Sequence, residues 1–233
     1  ATSVEKGESL LDTLLNLETY SPHVFIIRCG QDFDLKSVQL QIKTPIFNAG
    51  WGTQGHPTQA LLDAFTIQDS FGSIQGKKIL FVGDVAHSRV FASHIDLAKI
   101  LNYEVGICGP LNLLNQYTSQ VTSVSLPKFT SLTEGTAWAD AVCFLRFQFE
   151  RHAHEKVLED LTQAEYHQQY GASKKWVSQL SHEKRIMHPG PVNVGIEMGR
   201  EAMQDSRSLI LEQSRNGVFI RESLLRSLHP ERV

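Results

Sequence analysis

The sequence is marked first by what it does not contain. No stretch approaches the roughly 20 consecutive apolar residues that a membrane-crossing helix needs, and the opening residues do not read as a signal peptide. An excess of positive charge is missing too. Lys and Arg number 22 against 25 Asp and Glu, a net charge of -3, with a pI near 6.4. No basic field therefore invites nucleic acid or anionic lipid. Cysteine is scarce: Cys29, Cys108 and Cys143 are odd in number, far apart and without a C-x-x-C pair. They read as reduced, buried thiols of a cytoplasmic protein rather than a disulfide framework. The stretch "VGDVAHSRV" (82–90) follows a strand and opens a helix, as a dinucleotide loop would. It has only Gly83 before the turn, so the G-x-G-x-x-G fingerprint is absent and a nicotinamide oxidoreductase is disfavoured. No serine sits in a nucleophile elbow, and no carboxylate pair is prominent at the strand ends. His152 and His154 have no third ligand at metal-site spacing and read as a solvated helix start.

What remains describes an ordinary globular chain of 233 residues, 41% hydrophobic and 20% charged, long enough to bury a sizeable core. Short apolar runs at 23–29, 44–50, 78–84, 104–110, 140–148 and 184–190 read as buried strands. Between and around them, helical periods fall near 7–20, 34–41, 57–70, 88–101, 110–118, 159–170 and 206–227. Strands separated by helices of this length predict right-handed crossovers and parallel sheets. The expected fold is α/β in two lobes, each a parallel sheet flanked by helices, divided at the Gly- and Ser-bearing stretch "DSFGSIQGKK" (69–78). Residues 1–70 would form the first lobe, 71–205 the second, and 206–233 a C-terminal helix packing back on the first. Trp51, Trp138 and Trp176 read as packing residues.

In open parallel sheets, ligands bind beyond the carboxyl ends of the strands. Those ends carry Arg28, then a glycine-rich loop to His56, Pro57 and Gln59, then Asp84, His87, Ser88 and Arg89, then Arg146 and Gln148. The last strand leaves through "HPGP" (188–191), where two prolines stiffen a loop and remove two backbone donors, so that its carbonyls are held toward something. Three arginines, a histidine and two glutamines on one edge suit an anionic ligand, because guanidinium grips carboxylate or phosphate at two points. A helix starting at Pro57 adds free N–H groups and a positive dipole end.

The blocks "NAGWGTQGHPTQALLDAFTI" (48–67), "VGDVAHSRV" (82–90), "LRFQFER" (145–151) and "IMHPGPVNVGIE" (186–197) together resemble the aspartate carbamoyltransferase family. "SVEKGESLLDT" (3–13) and "LILEQSRNGVFIRESLL" (209–225) resemble it in the same order. Ornithine carbamoyltransferases carry His-Cys-Leu-Pro where this chain has His188-Pro189-Gly190-Pro191, which favours aspartate as acceptor. The resemblance implies carbamoyl transfer from carbamoyl phosphate to L-aspartate in pyrimidine synthesis, with no metal and no organic cofactor. It implies that Arg28 and His56 polarise the carbamoyl carbonyl and that Gln59, Gly190 and Pro191 hold its amide. Arg89, Arg146 and Gln148 would grip aspartate. Lys6, accompanied by Thr2 or Ser3, would reach into a neighbouring subunit's site in a homotrimer. Larger assembly with regulatory chains or a dihydroorotase is compatible with it.

Two departures stand out. The family's Ser-Thr-Arg-Thr-Arg phosphate motif is absent from these 233 residues and is expected upstream of Ala1. Val194 stands where many relatives have arginine. The alternative reading is a catalytically inactive homologue serving as an assembly or regulatory subunit; the five polar groups retained at strand ends argue against it.

Overall fold

The computed structural model describes residues 7–120, 125–147 and 161–228, with side chains through Tyr117 in the first segment. The first part runs α1 (Leu10–Glu18), β1 (Phe25–Cys29), α2 (Leu35–Gln39), β2 (Ile46–Trp51) and α3 (Pro57–Phe71). There follow β3 (Lys78–Val82), α4 (Arg89–Leu101), β4 (Glu104–Cys108), α5 (Leu111–Gln120), β5 (Lys128–Phe129), α6 (Leu132–Trp138) and β6 (Ala141–Phe144). The remainder is α7 (Gln163–Tyr170), α8 (Lys174–Gln179), β7 (Arg185–Met187), α9 (Arg200–Gln204) and α10 (Ile210–Ser227). All strand pairs are parallel: β1 with β2 in one sheet, and β5-β4-β3-β6-β7 in a second.

The second sheet is apolar on both faces, as parallel sheets between helices require. Successive residues of β3 point to opposite sides. Ile79 and Phe81 enter a core with Ile67 of α3, Phe91 of α4 and Leu114 of α5. Leu80 and Val82 enter the other, with Tyr166 of α7 and Trp176 of α8. Each of these strand side chains is at most 1% exposed, and such burial contributes about 1.5–3 kcal/mol apiece. The first sheet has a smaller core of Leu14, Phe25, Val38 and Ile42. The C-terminal α10 returns along α3, where Asn216 Nδ2 donates to Thr66 Oγ1 at 3.1 Å.

Several expected boundaries move. The stretch 69–78 is not wholly a linker, because α3 continues through Phe71. Gly72 ends it in the left-handed conformation (φ 77°), which glycine adopts without a Cβ penalty. Gln68 then pins the turn, accepting from Ile74 N and donating to Gly72 O. The expected strands 140–148 and 184–190 shorten to four and three residues, so Arg146 and His188 lie on the loops beyond them. The short α6, α8 and α9 are additional; each spans two turns or fewer, too little for a helical period to register in the sequence.

Candidate active site

The strand order places a topological switch point at the centre of the second sheet. From β3 the chain moves outward to β4 and β5, then crosses to β6 and β7 on the other side. Loops leaving β3 and β6 therefore diverge in opposite directions and open a crevice at the carboxyl edge. The first loop leads to Arg89, the first residue of α4, and the second to Arg146. Ser88 caps α4 by accepting from Phe91 N at 3.2 Å, which fixes the helix start that carries Arg89.

Facing this crevice are the ends of β1 and α3. A cleft of about 400 Å³ results, lined by Arg28, His56 and Gln59 from one side and Asp84, His87, Ser88, Arg89 and Arg146 from the other, with Pro189, Gly190 and Pro191 closing it. Arg28, His56, Gln59, Arg89, Arg146, Gly190 and Pro191 are thus brought together. Lys6, Gln148, Thr2, Ser3 and the His152–His154 pair lie outside the described residues. Among the described residues, no group of His, Cys, Asp and Glu could hold a metal ion. Burial raises the pKa of all three thiols, pushing Cys108 up to about 12, and they are free thiols without a disulfide.

The field in the cleft is positive. His56 has its pKa lowered to about 4, first by burial and then by Arg89, Arg221 and Arg28. Its imidazole is neutral at pH 7 and can offer an N–H without carrying charge. Thr58 Oγ1 lies 3.3 Å from His56 Nδ1, so a proton on Nε2 suits the Thr58 hydroxyl as donor. Arg221, on α10, was not singled out in the sequence because it lies in the middle of an amphipathic helix, far from any strand end. Gly50 sits at φ 123°, and a Cβ there would lie 2.8 Å from Arg89 Nη1. The guanidinium of the second sheet's edge therefore packs against bare backbone at the end of β2. Asp84, 5% exposed, is held by His87, whose Nδ1 lies 2.9 and 3.0 Å from its two carboxylate oxygens.

The rigid loop after β7 is held from within. Gly190 N donates to His188 Nδ1 at 2.8 Å, which leaves the proton on Nε2, 3.3 Å from Glu197 Oε1. Glu197 also accepts from Asn193 N (2.5 Å) and Phe147 N (3.4 Å), while Asn193 Nδ2 donates to Phe147 O (3.0 Å). The loop carrying Gly190 and Pro191 is in this way tied to the residue following Arg146. The Gly190–Pro191 peptide bond is cis.

Comparison with known proteins accords with this architecture. Residues 1–69 match the carbamoyl-P binding domain model of aspartate/ornithine carbamoyltransferases, and residues 75–228 match their Asp/Orn binding domain model. The chain belongs to the aspartate/ornithine carbamoyltransferase family. Within that family it is 38% identical over 234 residues to the aspartate carbamoyltransferase catalytic subunit of Chlorobaculum tepidum, covering 98% of this chain and 74% of the relative. The aspartate transcarbamoylase of Trypanosoma cruzi, solved in complex with carbamoyl phosphate, superposes with a TM-score of 0.78 at 28% identity, covering 96% of this chain and 71% of that one. The catalytic subunit of the M. jannaschii enzyme gives 0.76 at 26% identity, covering 100% and 74%.

Proposed function

We propose that this protein transfers the carbamoyl group of carbamoyl phosphate to the amine of L-aspartate, giving N-carbamoyl-L-aspartate and phosphate on the route to pyrimidines. One observation carries the reading: cationic and amide groups from two separate sheets converge on a single cleft closed by a Pro-Gly-Pro loop. Two small anions must be pressed together there, and their repulsion has to be offset by Arg28, Arg89 and Arg146. Holding the reactants in place can supply up to about 7–11 kcal/mol of the barrier.

In this account residues 1–70, with the C-terminal helix, hold carbamoyl phosphate and residues 71–205 hold aspartate. Arg28 and the neutral His56 donate to the carbamoyl oxygen as the amine nitrogen bonds to the carbonyl carbon. Donors placed on a developing oxyanion contribute on the order of 2.7–4 kcal/mol each in other enzymes. The C–O bond to phosphate then breaks, phosphate leaves with the electron pair, and the amine proton passes to a phosphate oxygen, so that phosphate departs as the hydrogen phosphate dianion. Gln59 and the carbonyls of the 188–191 loop hold the carbamoyl NH2, while Arg89, Arg146 and Gln148 hold the acceptor's carboxylates. Lys6 completes the site from an adjacent subunit of a cytoplasmic homotrimer.

The test is a colorimetric assay of ureido product with the full-length protein. Carbamoyl-aspartate should form from carbamoyl phosphate and aspartate, and ornithine should not substitute for aspartate. No product with both substrates present would leave the inactive-homologue reading in its place.

A further inference from the structure

Asp63, on α3, is 1% exposed and lies behind the cleft rather than in it. Its Oδ1 accepts from Gln59 Nε2 at 2.9 Å and from Gln213 Nε2 at 2.7 Å, and its Oδ2 lies 3.3 Å from His94 Nε2. Gln213, on α10, is 2% exposed and uses its other amide atom as well, Oε1 accepting from His188 N at 3.0 Å. One buried carboxylate is therefore linked to both features that face the carbamoyl position from this side, the Gln59 amide and the root of the 188–191 loop.

The chemistry of this arrangement is directional. A carboxylate only accepts, so the Gln59 side chain must turn its nitrogen toward Asp63. The polar atom it has left for the cleft is its oxygen, an acceptor suited to an N–H of a carbamoyl amide. The same constraint acts on Gln213: with its nitrogen on Asp63, its oxygen is the atom that meets His188 N–H. Without the carboxylate, both amides could flip, and the loop root would face a donor instead of an acceptor.

We infer that Asp63 is a positioning residue for carbamoyl phosphate, fixing the amide orientation of Gln59 directly and seating the His188–Pro191 loop through Gln213. The inference rests on the proposed carbamoyl transfer and deepens it. Asp63→Leu keeps the number and branching of side-chain heavy atoms but removes the acceptor. Asp63→Asn keeps an oxygen for the two glutamines and turns its nitrogen to His94. His94 can then accept at Nε2 by moving its proton to Nδ1, 2.8 Å from the Tyr103 hydroxyl, which itself donates to His94 O.

Steady-state kinetics of the full-length enzyme, each substrate varied at saturation of the other, test the idea. Asp63→Leu should raise the KM for carbamoyl phosphate about 10-fold or more, as losing a hydrogen bond to a charged group does, and change the aspartate KM far less. Asp63→Asn should recover most of that loss. Gln213→Met, which breaks only the loop arm, should give a smaller rise in the same KM, and it carries the test alone if Asp63→Leu does not fold. Parallel shifts in both KM values, no shift in either variant, or failure of Asp63→Asn to recover would overturn the inference. An inactive wild type would instead overturn the proposed reaction.

Discussion

His56 is placed where burial and then three guanidinium groups all disfavour a proton, and the consequence is measurable. With its folded pKa near 4, below the ordinary value of 6.5, the folded state binds fewer protons than the unfolded state between those pH values. Stability from this group is thus present above about pH 6.5 and is lost as pH falls toward 4. Imidazole NMR of the unliganded protein should show His56 unprotonated at pH 6, titrating near 4; an ordinary midpoint near 6.5 would refute the electrostatic picture of the cleft. Gly50 gives a second residue-scale prediction. Gly50→Ala adds a carbon where Arg89 lies and strains a backbone at φ 123°. The aspartate KM should rise about 10-fold if Arg89 loses one good charge-assisted bond, whereas an unchanged KM would show that Arg89 has no part in aspartate binding. Residues at the carboxyl end of a strand or just beyond it, such as Arg28 within β1 and Arg146 after β6, were legible in the sequence because strand polarity alone puts them at the ligand-facing edge. Asp63, Glu197 and Gln213 were not. Gln213 meets Asp63 from 150 positions away, and no local pattern encodes such a contact.

Elements were legible where their period was long and their ends were marked. Pro57 and Gly72 bracket α3, and Ser88 opens α4, each by a rule of helix termini. The two-residue β5 and the short helices α6, α8 and α9 were missed because tertiary packing, not propensity, makes them. Ser88→Ala tests whether the α4 cap positions the site. It should cost about 1 kcal/mol in urea unfolding and also raise the aspartate KM, since Arg89 is the first residue of that helix. A stability loss with unaltered kinetics would make the cap purely structural.

For the whole molecule, the strand order β5-β4-β3-β6-β7 opens the crevice, and the first sheet with α3 supplies its other wall. The parallel α/β class followed from the alternation of strands and helices, but the order did not: it depends on which side of β3 each crossover falls. If Lys6 acts across a subunit boundary, mixing full-length Lys6→Ala and Arg146→Ala proteins, each impaired at limiting aspartate, should restore activity through hybrid trimers that contain an intact site. Mixtures no more active than their parents would place Lys6 in its own subunit's site or in none.

The proposed reaction requires two sets of cations to serve two different anions in one cleft. Arg28→Ala and Arg146→Ala in the full-length protein test it most directly by steady-state kinetics. We predict that the first raises mainly the KM for carbamoyl phosphate and the second mainly that for aspartate, each by about 10-fold or more. Equal losses for both substrates in both variants, or the reverse assignment, would contradict it.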